Sequence, residues 1–215
     1  MLGGLLFAQT PATKPNTAKK STTTKAAPKA ATVGEWRSEC SKAGGFCIQI
    51  PATWKALGEV FDGAGFVVAE PDVKKSQDDW NQITASATDM PEAKDGRERP
   101  TTDELIDIIL GSPSSGIQAQ TLQRSKSMIA GMPAEVLKIR LKAKESSTDA
   151  IEYIAMMDDG ETIYSVALGC SPEDAARLEP IFDRVVHSWK AVAPTPVPNT
   201  STPPAAKEPT APPKL

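Results

Sequence analysis

Three cysteines, one histidine and two Asp-Asp pairs are the side chains of this 215-residue chain best suited to chemistry. Cys40 and Cys47 flank the stretch Ser41-Lys42-Ala43-Gly44-Gly45. Across a hairpin they form a disulfide if the chain is exported to an oxidising compartment, and stay two buried thiols if it is not. On the chain-entropy model such a bridge would stabilise by roughly 2.5 kcal/mol. Cys170 is then left over, or pairs with Cys47 in place of Cys40, because connectivity is not readable from spacing. The cysteine spacing matches no common zinc pattern, and a single histidine excludes a histidine-rich metal site. His187 lies beside the apolar stripe of a C-terminal helix, with no nucleophile or carboxylate brought to it by a local motif. It reads as a surface or capping histidine. Asp78-Asp79 and Asp158-Asp159 read as turn formers, and no twelve-residue calcium loop surrounds them. An acid pair of the glycosidase type meets in space rather than in sequence, so a hydrolase with a spatially assembled carboxylate site stays an alternative. There is no phosphate-cradling glycine loop, nucleophile elbow or dinucleotide fingerprint. No catalytic residue, cofactor or metal ligand is therefore assigned.

Tryptophan supplies the other candidates. Trp80 follows Asp78-Asp79 and shares strand parity with Gln82 and Thr84, which would turn it to a wet face. Exposed tryptophan commonly anchors a partner. The competing reading folds Trp80 back beneath the charged stretch 91–100. Trp36, at the start of the first strand, is the second candidate partner contact.

The elements that must position these residues follow from a partition of charge. Residues 35–190 hold 17 of the 24 basic and 26 of the 27 acidic residues, a net of −9; the flanks carry +6. The acidic middle is the globular domain and a poor nucleic-acid binder. Residues 9–34 are a Lys/Thr/Ala/Pro linker, and residues 191–215 a tail with eight prolines; both read as disordered. The apolar stretch 1–8 resembles the back half of a secretory signal peptide without its positive n-region, with Leu6 and Ala8 at the −3 and −1 positions. No apolar run approaches the roughly 18–20 residues of a membrane span.

Within the domain, strand signals dominate from Glu35 to Gly169. Glu35–Cys40 with Phe46–Ile50, and Trp54–Val60 with Gly65–Glu70, read as hairpins; Asp62-Gly63 accepts positive φ at the second turn. Asn81–Asp89 alternates, with Ile83, Ala85 and Ala87 on one face. Thr101 and Glu104 have capping-box spacing before a helix whose apolar side is Leu105, Ile106, Ile108, Ile109 and Leu110, ended by Gly111. Ile117–Met128 reads as a long polar strand or edge, and Glu135–Ala143 as a strand with one wet face. Ile151–Met157 and Thr162–Gly169 are apolar on both faces and belong centrally in the sheet. Ser171 caps the last helix and Pro172 suits its first turn. Pro180 predicts a kink or split there, with a second helix running from Pro180 to Lys190. The order strands, helix, strands, helix gives an α+β fold: a largely antiparallel sheet, a C-terminal helix on one face and a shorter second helix.

The run Phe46-Cys47-Ile48-Gln49-Ile50-Pro51-Ala52-Thr53-Trp54, a strand followed by proline and tryptophan, resembles the opening of PsbP-type domains. The close also fits: strand Tyr164–Leu168, the helix start Pro172-Glu173, then Val186-His187-Ser188-Trp189. The resemblance, to the PsbP/Mog1/DcrB-like group, covers residues 35–190 and implies an α/β/α sandwich used for binding or assembly without catalysis. It brings no functional residue by motif, and no lipid-attachment cysteine follows residues 1–8. The expected protein is a secreted or periplasmic accessory module of the bacterial cell envelope. It would be a monomer, presenting an acidic domain to a protein partner. The alternative from a third class is a small-ligand carrier with a pocket between sheet and helix.

Overall fold

Alternating apolar residues build the strands, and their pairing produces two antiparallel sheets. The computed structural model describes residues 34–71, 81–91, 93, 98–111, 117–143 and 149–193. The expected signal segment, the linker, most of the proline-rich tail, Asp78-Asp79 and Trp80 lie outside these. The strands are β1 (Trp36–Ser41), β2 (Phe46–Pro51), β3 (Lys55–Val60), β4 (Gly65–Ala69), β5 (Gln82–Asp89), β6 (Ile117–Ile129), β7 (Met132–Ala143), β8 (Asp149–Asp158), β9 (Thr162–Cys170) and β10 (Lys190–Ala191). The helices are α1 (Thr102–Gly111) and α2 (Ala175–His187). The large sheet has the order β3-β4-β5-β9-β8-β7-β6, and β1-β2-β10 form a small one. This is an α+β fold with a largely antiparallel sheet and two helices, one of them C-terminal.

Each face of the large sheet has its own core, because side chains alternate across a strand. One face meets α2 and β2 through residues such as Ile48, Val68, Ile83, Leu168, Phe182 and Val185. The other meets α1 through Met90, Leu105, Ile106, Leu137, Ile139 and Met156. The α1 cap forms as the spacing predicts. The Thr101 N–H donates to Glu104 Oε2 at 2.8 Å, and the Glu104 N–H to Thr101 Oγ1 at 3.3 Å. At the β3–β4 turn, Asp62 (φ 53°) and Gly63 (φ 85°) take the left-handed conformation that tight turn needs. Gly65 is needed for a different reason: a Cβ there would sit 2.5 Å from the Ala85 carbonyl oxygen.

Four expectations are corrected. Helix α2 runs unbroken through Pro180 and ends at His187. Leu178 before the proline and Ile181, Phe182, Val185 and Val186 after it are all buried against one sheet face. That burial outweighs the ~3 kcal/mol a mid-helix proline costs. The helix also starts later than expected. Asp174 is the N-cap, while Ser171 Oγ accepts the Asp174 N–H and closes a preceding turn. On α1, Ile108 and Ile109 are exposed, at 53% and 46%, because the helix packs over β7 and β8 through Leu105 and Ile106. Strand β7 has no fully wet face: Val136 packs against the α2-side core, and Lys138 is ion-paired to α2.

Candidate functional site

The residues singled out by type do not converge. Cys40 and Cys47 are direct cross-strand partners on β1 and β2, with Cα atoms 4.1 Å apart, and are joined by a disulfide. Cys170 is a buried thiol at the end of β9. Trp36 is half-buried against the core, with the Arg184 guanidinium 4.0 Å above its ring. His187 is exposed on α2, its Nδ1 2.7 Å from the Asp183 carbonyl oxygen of the preceding turn. Asp158 and Asp159 organise the β8–β9 turn. Asp158 accepts the Gly160 N–H at 2.7 Å, and Asp159 accepts those of Glu161 and Thr162 at 2.9 and 2.7 Å. Among the described residues no group of three or more His, Cys, Asp or Glu side chains is placed to hold a metal.

The charged residues that do converge were not singled out by sequence. An open cleft of about 470 Å³ between α1 and the β6–β7 edge is lined by Asp103, Asp107, Arg124, Ser125, Lys126 and Glu135. Arg124 is its hub. Its Nε donates to the buried Glu135, Nη1 to Asp107 at 2.6 Å, and Nη2 to Asp103 at 3.0 Å. Lys126 also pairs with Asp103. The neighbouring Glu135, Lys126 and Arg124 groups together hold the Asp103 carboxyl well below the usual range. Both cations are raised, Arg124 chiefly by Glu135 and Lys126 chiefly by Asp103. Asp103 and Asp107 sit one helical turn apart, so this network fixes which flank of α1 faces β6.

On the opposite sheet face, Tyr153, Lys138 and Glu179 meet beside α2 around a small cavity of about 60 Å³. Tyr153 Oη lies 3.0 Å from both the Ala175 carbonyl oxygen and Glu179 Oε2. Lys138 Nζ donates to Glu179 at 2.7 Å and stands 4.9 Å from the Tyr153 ring centre. Burial pushes the Tyr153 phenol up to about 12, the wrong direction for a proton donor or base near neutrality. A further lock ties α2 to the sheet. Arg177 grips Glu70 with two nitrogens at 2.7 and 2.8 Å and reaches Asp174 at 3.0 Å. Buried Asn81 donates to Glu70 at 2.6 Å and to Asp174 at 3.1 Å.

Two features stand apart from these networks. Large apolar side chains are exposed on the α1–β6 side: Ile108 and Ile109 on the helix, Leu122 and Met128 on the edge strand. And Glu152, in the centre of the sheet on the α1 face, is 8% exposed and makes no hydrogen bond or ion pair among the described residues. Burial alone pushes its carboxyl up to about 7. Sequence reading placed its strand centrally in the sheet but did not single out the one acid within it. Its burial depends on two strands that pair with it from elsewhere in the chain.

No family model matches the chain, and no curated protein matches it. Solved structures do. Cyanobacterial PsbP (CyanoP) from Synechocystis sp. PCC 6803 aligns over 77% of this chain and 98% of its own, with a TM-score of 0.50 and 12% identity. A protein of unknown function from Pseudomonas aeruginosa aligns over 76% of this chain and 100% of its own, with a TM-score of 0.46 and 14% identity. LpqN of Mycobacterium tuberculosis, involved in cell envelope biogenesis, aligns over 68% of this chain and 83% of its own, with a TM-score of 0.47 and 11% identity. The PsbP likeness establishes the fold: the domain is PsbP-like in architecture.

Proposed function

We propose that residues 35–190 are a non-catalytic accessory module of the bacterial cell envelope, which binds a protein partner. The carrying observation is the surface on the α1–β6 side. Ile108, Ile109, Leu122 and Met128 are exposed at 53%, 46%, 42% and 62% on the helix and edge strand that border a cleft whose charges are paired with each other. Exposed apolar side chains beside a polar rim favour association with another protein. Each acid of that cleft is engaged by Arg124 or Lys126, so none of them is poised there as a general base. An envelope location is supported by the Cys40–Cys47 disulfide, which persists in oxidising compartments. The apolar stretch 1–8 is compatible with export. No helix among the described residues is long and apolar enough to cross a membrane.

The test is photo-crosslinking in the native host, with a crosslinker at position 121 on β6, which pairs with Ile139 and so shares the α1 face. The reading expects one dominant protein adduct in the envelope fraction. It expects Ile108→Asp with Ile109→Asp to reduce that adduct at least about tenfold without unfolding the domain. Adduct formation indifferent to the double variant, or a cytoplasmic protein with reduced cysteines, would overturn it.

A further inference from the structure

Glu152, Gly169 and Gln82 lie in one row across the α1 face of the large sheet: β8 pairs Glu152 with Gly169 of β9, and β5 pairs Gln82 with the same glycine. Strands are about 4.8 Å apart, so Glu152 and Gln82 stand ~9.6 Å apart with Gly169 between them. The missing side chain matters here. A Cβ on Gly169 would meet nothing within 4 Å, and the glycine is only half-buried, so the space above it opens to solvent. Helix α1 leaves this strip uncovered because it packs over β7 and β8, with its Asp103/Asp107 flank drawn toward β6 by Arg124.

The walls of the space are unequal. On the β7 side Glu152 abuts Ile139, its ladder partner, which is 2% exposed. Along its own strand on the same face stands Ile154. On the β9 side there is only the open place over Gly169, and beyond it the amide of half-buried Gln82. Among the described residues the neighbouring positions of this face on β9 and β5, Ala167, Ser165, Thr84 and Ser86, bear no titratable group; farther along the face lie Glu135 of β7 and Asp158 of β8, and the α1 acids Asp103 and Asp107 are held by Arg124. A nine-tenths buried carboxylate without a counter-charge is costly, so it either holds a proton or is paired with a cation.

We propose that Glu152, Gly169 and Gln82 form a subsite for the primary ammonium group of a small organic amine. The ammonium sits over Gly169, donating to the Glu152 carboxylate on one side and to the Gln82 carbonyl on the other. Its alkyl chain lies along the half-buried strip of Ala167 and Thr84. An ammonium carries three donors and no acceptor, which matches two facing acceptors. Quaternary amines lack those donors and are rejected. This subsite is independent of the partner surface on the α1–β6 side.

The experiment is a titration of the full chain with n-butylammonium chloride, following the Glu152 carboxyl resonance by carbon NMR against sodium chloride at equal ionic strength. The carboxyl should titrate near neutrality without amine. With saturating amine its midpoint should fall by at least about one pH unit, equivalent to a tenfold preference of the amine for the ionised form. Tetramethylammonium should leave it in place. Glu152→Gln should weaken butylammonium binding at least about tenfold. So should Gly169→Val, which fills the open place with a residue suited to a strand and leaves thermal stability equal or higher. A midpoint that moves no more with butylammonium than with sodium chloride overturns the proposal. So does equal amine affinity in Glu152→Gln and the native chain, whether or not the valine variant folds.

Discussion

Glu152 is where a single side chain governs behaviour most directly. Its carboxyl is raised from an ordinary value of 4.5 to about 7, with burial as the cause. A raised acid binds its proton more tightly in the folded state than in the unfolded one. Between pH 4.5 and 7 the folded chain therefore holds more protons, and stability falls as pH rises through that window. The loss approaches about 3 kcal/mol above pH 7, because each tenfold difference in proton affinity between the two states is worth about 1.4 kcal/mol. Glu152→Gln removes the charge while keeping the shape. It is expected to stabilise the domain by about 3 kcal/mol at about pH 8 and by little at about pH 4, measured by urea unfolding at both values. An equal effect at the two pH values would mean that the carboxyl is not desolvated. This residue also marks the limit of sequence reading. Cys40 and Cys47 were legible as a candidate pair, with Cys170 as the rival partner for Cys47, because one hairpin turn separates them. Glu152 was not, because its setting is Ile139 on one side and Gly169 on the other, both brought by strand pairing.

Among elements, α1 shows how a short helix is held to a sheet. Leu105 and Ile106 bury one side, the Thr101–Glu104 box closes the N-terminus, and Arg124 anchors the flank through Asp103 and Asp107. The box was legible because it is local, three residues apart. The anchor was not, since Arg124 lies in a polar strand with nothing to tie it to a helix about twenty residues earlier. That gap also explains the misassignment of Ile108 and Ile109: periodicity gives the apolar side, while the anchor chooses which part of it is buried. Arg124→Ala strands the Glu135 carboxylate, whose side chain is 5% exposed. The expected cost is about 2 kcal/mol, taken below the range for fully buried pairs because Arg124 is 29% exposed. Glu135→Gln in the same chain should recover part of it, since the orphaned charge is then gone. A double-mutant cycle by urea unfolding measures this. A double variant no more stable than Arg124→Ala would show that Glu135 carries no penalty when alone.

Over the whole molecule, the hairpins were legible and the sheet order was not. Consecutive strands β3–β4 and β8–β9 announce themselves by their turns, whereas β5 pairs with β9 from Gln82↔Gly169 to Asp89↔Thr162, far apart in the chain, and only packing of both faces selects that partner. The small sheet β1-β2-β10 depends most on a covalent tie. It reaches the rest of the domain through the apolar face of β2, which packs on α2 and on Phe66 and Tyr164 of the large sheet, and through β10, which is two residues long. The Cys40–Cys47 bridge closes its only long hairpin. Reducing it should cost about 2–3 kcal/mol, because the unfolded chain regains the loop entropy. The core behind it, with Phe46, Ile48 and Ile50 all at 1% exposure or less, should keep the domain folded in the cold. The expected result is a lower urea midpoint with an unchanged slope in reductant, and the same midpoint in a Cys40→Ser/Cys47→Ser variant with or without reductant. Loss of cooperativity would instead mean that β1 and β2 detach first, leaving the seven-stranded sheet as a separate folding unit. A midpoint unaffected by reductant would mean that packing of β2 on α2 alone holds the small sheet, and it would withdraw the main physical support for an oxidising location.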